Sequence, residues 1–428
     1  MKTMGRFGKK LKQLFGKVGP GFVTGAADDD PSGIATYSMA GAQYGYRMSW
    51  MVVFMIPAMI AIQEMCGRIG MVTGKGLAGV IKTYYSKKLM WFAVVLLAVA
   101  NTINIGADLG IIASSLQMIF GSSFLMWLVI TSVGIIWLEI AVSYKRYSSY
   151  LKWLGLSLLV YVVTAFIVKQ DWGQVLRFTL IPQIDFEMGY LMTMVGMLGT
   201  TISPYLFFWQ ASEEVEEEIS DVSSQMTDFG QKAVIRSKDI AAMRTDTKVG
   251  MIFSNVMSFF VILTAAATLH ANGIFSIATP QDAALALRPL AGEFAYLLFA
   301  IGMIGIGLQS IPVLAGSLAY AVAEGLGIHE GLSKKFGQAK GFYLVIALAT
   351  ILGALMNLLG INTMQALYYA AVINGVIAVP LIFIIIKMAD DSRIVEEYKT
   401  QKKYKAIAWV TFGFMALSVV LMVGSALI

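Results

Sequence analysis

Apolar runs about the length of a bilayer-crossing helix, separated by short polar connectors, recur from one end of the chain to the other. Eleven such segments are marked, at 18–45, 48–67, 90–117, 123–143, 150–168, 190–211, 248–269, 293–321, 341–361, 364–387 and 405–427, each near the ~20 residues a helix needs to span the hydrocarbon layer. In two of them the pattern is interrupted. The first contains "GAADDDPSGI", three carboxylates and a proline in mid-segment, and the sixth contains "GTTISPYL", a proline beside small and hydroxylated residues. The two breaks are five segments apart, and an odd offset reverses orientation. The expected architecture is therefore an all-α integral membrane protein with two five-span units related by inversion, 18–168 and 190–387, each with a broken first helix, and an eleventh span at 405–427. The residues at 212–247, including "SEEVEEE", are expected to form a cytosolic connector, and 1–17 a basic cytosolic tail.

Composition agrees: of the 428 residues, 57% are apolar and 14% charged, the balance of a polytopic membrane protein rather than a soluble domain. The net charge of +6 is then a matter of membrane orientation, not of nucleic-acid binding. With the amino terminus in the cytosol, all but four of the 32 Lys and Arg fall on the cytosolic side, the exceptions being Arg47, Lys169, Arg177 and Arg288. The positive-inside rule thus predicts a cytoplasmic amino terminus and an external carboxyl terminus in the plasma membrane of a prokaryote. The opening "MKTMGRFGKKLKQLFGK" is followed by neither a short apolar core nor a small-residue cleavage site, so it is expected to be retained. A single cysteine, Cys66, excludes an internal disulfide and reads as a small packing residue.

The acidic residues at the first break are the informative chemistry. One Asp near the bilayer centre costs about 2.5–3.5 kcal/mol on insertion scales, so three in a row imply a water-filled cavity or an ion. A broken helix exposes carbonyls at one half's end and amides at the other's start, so an unwound segment supplies oxygen ligands without side chains. With Asp30 added, the site selects cations. Asp, Ser, Thr and backbone oxygens are hard ligands, and nothing soft stands at either break. Only two histidines occur, His270 and His329, both in or near loops, which excludes zinc-type clusters. The 26 methionines are scattered and read as core filler. No Ser-His-Asp set or phosphate-binding loop is present, so an enzyme is not expected.

The broken first span with its Asp-Pro motif, the sixth span with Gly-Thr-Thr-Ile-Ser-Pro-Tyr and the eleven spans together resemble the natural-resistance-associated macrophage protein (NRAMP) family of divalent metal transporters over essentially the whole chain. The resemblance implies the LeuT-like inverted-repeat fold first recognised in sodium-coupled amino-acid symporters, with metal held between spans 1 and 6. The departures sharpen it. The family's Asp-Pro-Gly-Asn reads Asp30-Pro31-Ser32-Gly33 here, so the Asp ligand carries over and the Asn does not. The family's Met-Pro-His reads Ser203-Pro204-Tyr205, replacing a soft sulfur with a hydroxyl, and a later histidine reads Gln210. In span 3 the acidic pair becomes Asp108 and Ile111, and span 9 contains no arginine. These changes are similar to those of the NRAMP-related magnesium transporters, in which a harder and roomier site suits an ion that keeps part of its water.

The expected metal ligands are Asp30 first, with Ser203, the backbone at Ala27 and Thr200, Gly33, Asp29 and Tyr205; Asp28, Asp108, Gln210 and Glu213 are expected along the cavity or ion pathway. Glu139 stands in span 4 either as a functional carboxylate or near an inner helix end. The run Glu213, Glu214, Glu216, Glu217 and Glu218 either draws cations or forms a solvated helix end. Asn101, Asn104, Asn255, Asn374 and Gln309 read as interhelical glue. The function expected is divalent metal transport, magnesium before manganese, by alternating access and without proton coupling. The alternatives are a proton-coupled manganese or iron transporter and an amino-acid or organic-cation symporter of the same fold. No cofactor is expected beyond the metal as substrate. The partners expected are divalent ions and the lipid bilayer, with no nucleic acid, and the chain is read as a monomer.

Overall fold

The computed structural model describes residues 20–142, 158–224 and 237–426. The basic tail, the start of span 5 and the middle of the 212–247 connector lie outside the described residues. Span 1 is split into α1 (Pro20–Asp28) and α2 (Pro31–Tyr44), and span 2 is α3 (Trp50–Thr73), followed by a short α4 (Leu77–Tyr84). Spans 3 and 4 are α5 (Lys87–Phe120) and α6 (Phe124–Ala141), and α7 (Leu159–Ile167) ends span 5. After α8 (Trp172–Leu180), span 6 is split into α9 (Met188–Thr201) and α10 (Pro204–Ser224). Spans 7 to 11 are α11 (Ser237–Thr268), α12 (Ala295–Leu326), α13 (Lys340–Met356), α14 (Thr363–Asp390) and α15 (Lys402–Ser425). No strand occurs among the described residues, in which nine helical stretches are long and apolar enough to cross a membrane.

Local chemistry explains the breaks. Asp30 is the N-cap of α2 in extended conformation, Pro31 takes the first helical position, and the Asp30 carboxylate accepts from the Gly33 amide at 2.7 Å. An Asp-Pro pair is a helix start wherever it stands, because the acid satisfies a free amide and proline lacks one. Pro204 likewise opens α10, but there Ser203 contributes its carbonyl, which accepts from the Leu206 amide at 3.2 Å, and not its hydroxyl.

Two elements run longer than the apolar pattern suggests. Span 2 continues past residue 67 because Arg68 pairs with Glu64 one turn back, and Arg244 of α11 reaches the same carboxylate at 3.0 Å, so the charges are neutralised within the protein. The 212–247 connector is helical at both described ends, since α10 runs to Ser224 and α11 begins at Ser237. The acidic run therefore decorates a helix, with Glu214 buried on its inner side.

The packing obeys the inverted repeat. Span 7 lies along both halves of span 1, and span 2, its counterpart, lies along α10 of span 6. The broken helices form the core: 94% of the most apolar window of span 6 is buried, against 28% for spans 4 and 11 at the rim. Glycines let these backbones touch. A Cβ at Gly25 would overlap the Gly250 backbone of span 7, one at Gly70 the Ala211 carbonyl of α10, and one at Gly199 the Ala371 carbonyl and Gly375 backbone of span 10. Asn104 and Asn374 bond across spans 3 and 10 at 2.9 Å, and Asn101 donates to the Leu314 carbonyl and Ser317 of span 8.

At the end of the bundle carrying α4, Glu324 accepts from the Gly79 amide at 2.9 Å, and the Tyr320 hydroxyl donates to Glu216 at 2.6 Å while accepting from the Leu332 amide. These contacts tie span 8 to α4 and α10.

Gly199→Ala should destabilise the fold by about 1–3 kcal/mol through overpacking. Gly413→Ala in span 11, where a Cβ meets nothing within 4 Å, should be neutral or slightly stabilising. Thermal melting of the detergent-solubilised variants compares the two; equal melting temperatures would mean that the contact between spans 6 and 10 does not need its glycine.

Candidate metal site

Spans 1 and 6 meet at their breaks through one carboxylate and two hydroxyls. Asp30 Oδ1 accepts from Ser32 Oγ at 2.7 Å, from the Gly33 amide at 2.7 Å and from Thr200 Oγ1 at 3.4 Å, and the Ser32 and Thr200 hydroxyls lie 3.2 Å apart. Asp30 Oδ2 is buried and has no partner. The side chain is thus divided, one oxygen holding the start of α2 and the other free for a ligand. It stands at the N-terminus of α2, where the positive end of the helix dipole faces it.

The remaining expected residues are distributed around the two breaks. Tyr205 donates its hydroxyl to the Ala27 carbonyl at 2.9 Å, closing the carbonyl end of α1 from span 6. Ser203 turns its hydroxyl to the Gly199 and Thr200 carbonyls, at 2.7 and 2.6 Å, and so caps the end of α9. Asp28 and Asp29 are held by span 7: Ser254 donates to both, at 3.2 Å to Asp29, and Ser258 donates to Asp29 at 3.3 Å. Asp108 in span 3 accepts from Ser310 of span 8 at 2.6 Å. Gln210 donates to Glu214 at 2.7 Å, one turn along α10, and joins the acidic run that includes Glu213.

Four carboxylates, Asp28, Asp29, Asp30 and Asp108, are therefore buried in mid-membrane, each with one oxygen bonded to a hydroxyl and the other unpartnered. None makes an ion pair among the described residues. Uncompensated negative charge in a dry interior is costly, and a cation relieves it. No group of three Asp, Glu, His or Cys side chains converges among the described residues. An ion between spans 1 and 6 would thus draw on one carboxylate, hydroxyls and backbone oxygens, all of them hard donors, rather than on a cage of acids.

Three contributors went unmarked in the sequence. Ser32 sits inside the quoted motif and was legible as the residue beside an N-cap. Ser254 and Ser258 lie one turn apart on span 7, so they share a face, yet nothing in the sequence points that face at span 1. Glu139 is buried with both oxygens unpartnered in the last turn of α6, at the helix end that is one of its two expected positions.

Known proteins share this fold. The manganese transporter of Eremococcus coleocola has the same fold, with a TM-score of 0.74 at 17% identity over 95% of this chain and 86% of that one. Mhp1, a nucleobase-cation-symport-1 family transporter, is more distant, with a TM-score of 0.58 at 12% identity over 96% and 91% of the two chains. In sequence, the divalent metal cation transporter MntH of Erwinia tasmaniensis is 28% identical over 318 residues, which are 72% of this chain and 71% of that protein. The sequence model of the natural resistance-associated macrophage protein-like (Nramp) family matches residues 21–425. A match running from the first break to the last span, on a fold built round two broken helices, makes this chain a member of the Nramp family, a membrane transporter and not an enzyme.

Proposed function

We propose that the protein carries divalent metal ions across a prokaryotic plasma membrane by alternating access, with magnesium preferred and manganese also accepted, and without proton coupling. The observation that carries this reading is the free Oδ2 of Asp30 beside the Ser32 and Thr200 hydroxyls, a hard donor set holding neither sulfur nor imidazole. MntH, the relative in Erwinia, is a divalent metal cation transporter by name, which supports the ion class. Asp30 is the principal ligand, with Thr200 and the Ala27 carbonyl beside it, directly or through water. Gly33, Ser203 and Tyr205 shape the breaks. Asp28, Asp29 and Asp108 line the cavity, and Gln210 and Glu213 lie towards the cytosolic exit.

Magnesium holds its water tightly and usually keeps several waters when bound. A site with one carboxylate and neutral oxygens matches a partly hydrated ion better than a bare one. The same carboxylates argue against an amino-acid symporter, because four acids in mid-membrane would repel a substrate carboxylate. The orientation follows the basic loops: amino terminus inside, carboxyl terminus outside.

Asp30→Ala should reduce divalent uptake into proteoliposomes by more than about 100-fold, since loss of even an outer-shell partner typically costs 10–100-fold in metal affinity. Uptake near that of the unaltered protein, with a normal size-exclusion profile, would reject this site.

Ser203→Met should shift preference from magnesium towards manganese and cadmium, because a thioether favours softer ions. Competition uptake measures the change. An unaltered magnesium-to-cadmium ratio would place selectivity elsewhere, such as in cavity volume.

A proton relay needs groups that change protonation near working pH, and tyrosine, with an ordinary value of about 10, is not one of them. Tyr205 and Gln210 stand at the family's histidine positions, and the carboxylates beside Asp30, namely Asp28, Asp29 and Asp108, are each bonded to a serine hydroxyl. Magnesium should therefore enter down its gradient and an inside-negative potential worth about 2.3 kcal/mol per charge per 100 mV. A pH dye inside the vesicle should report no acidification in step with metal influx. Acidification tracking influx, or accumulation driven by a pH difference alone, would reveal a relay.

A further inference from the structure

Outside the ion pathway, a groove of about 430 Å³ lies between spans 3, 10 and 11. Its volume lies within the roughly 300–1,000 Å³ of clefts that take a small molecule. Leu89 and Phe92 of α5 form one wall, Pro380 and Phe383 of α14 the other, and Phe412 of α15 closes the end. Phe92 and Phe383 are 50% and 41% exposed, so the groove opens on the rim of the bundle, where a membrane protein meets lipid. A smooth rim would meet only exchanging acyl chains; a slot between three helices holds one chain in place.

The mouth of the groove is cationic. Lys387 lines it, with Nζ 5.5 Å from the Phe383 ring centroid and 5.6 Å from that of Trp409, which fixes the ammonium at the edge of the apolar walls. Tyr85 brings a phenol to the same edge. Lys87 and Lys88 begin α5, Lys402, Lys403 and Lys405 stand in the first turn of α15, and α14 ends at Asp390, so this end of all three helices is the basic end. Asp390 pairs with Lys405 at 2.6 Å, which leaves Lys387 as the cation over the groove itself.

We infer that this groove is a binding site for an anionic phospholipid, with an acyl chain between spans 3, 10 and 11 and its phosphate on Lys387. In the orientation proposed above, the site faces the cytoplasmic leaflet, where anionic lipid attracts juxtamembrane lysines. The inference uses that orientation only to name the leaflet. The lipid itself is selected by the walls and the ammonium, whichever ion the protein carries.

The test is lipid retention by the full chain. Delipidated protein in mild detergent is mixed with phosphatidylglycerol or phosphatidylcholine of the same acyl chains, and lipid bound after size exclusion is counted by native mass spectrometry. Phosphatidylglycerol should be retained roughly fivefold more than phosphatidylcholine, the factor expected from one lysine against an anionic headgroup. Lys387→Gln should bring the two lipids level, Lys387→Arg should keep the preference, and Leu89→Trp, which fills the slot, should lower retention of both. Equal retention of both lipids by the unaltered protein, an undiminished preference in Lys387→Gln, or full retention by Leu89→Trp would overturn the proposal. Because the readout is bound lipid, failure here leaves the transport reading untouched, and failure of Asp30→Ala to block uptake leaves this one untouched.

Discussion

Everything central in this structure depends on ending a helix in the middle of a membrane. Hydrocarbon offers no partner to a bare amide or carbonyl, so a break must satisfy its own backbone. At the first break Asp30 does this for the amide end, taking the Gly33 N–H on Oδ1, while Tyr205 reaches from the other broken span to the Ala27 carbonyl. At the second, Ser203 folds back on the Gly199 and Thr200 carbonyls. At the first break the side chain that mends the backbone, Asp30, also keeps one oxygen free. Asp30 illustrates the economy of this arrangement, because a carboxylate has two oxygens and only one is needed as a cap.

That requirement propagates into packing. Two broken helices can share polar partners only if they approach closely, and their outer neighbours must follow. Glycine supplies the approach where span 1 meets span 7, where span 2 meets α10 and where α9 meets span 10. Gly25 lies in the first half of span 1 and Gly70 at the end of span 2, so by chain direction the first two contacts stand on the side of the bundle where span 1 begins. Inversion relates the first half of span 1 to the first half of span 6, so under the proposed alternating access the two repeats present like elements to opposite sides of the membrane.

The spans, both breaks, their inverted relation and the hard chemistry of the donors were legible in the sequence. Each rests on a local signal, namely apolar length, an Asp-Pro or Ser-Pro start, and the absence of sulfur and imidazole beside it. What stayed hidden was direction. Asp28, Asp29 and Asp30 look alike as a run, but at a helix end successive side chains point about 100° apart. Two of the three meet Ser254 and Ser258, more than 220 positions away in the chain. Ser203 aligned with a family ligand also has a duty to its own helix that no motif discloses. The extension of span 2 to Thr73 was masked by Arg68, a charge that marks a membrane edge until Glu64 and Arg244 are seen to neutralise it.

The division of the carboxylates bears on how an ion would be held. Asp30, Ser32, Gly33 and Thr200 already form a hydrogen-bonded set with spacings of 2.7–3.4 Å. Pulling all of them to the ~2.0–2.1 Å octahedral shell of bare magnesium would break the cap of α2. One free oxygen, with waters completing the shell, leaves the cap intact. At the proposed site Asp28 and Asp29, turned to span 7 and each with an unused oxygen, would act through charge and through the hydration shell rather than by direct contact. On this reading the hardness of the site comes from its donors and its tolerance of water comes from its backbone: a helix start that must stay capped cannot close around a dehydrated ion.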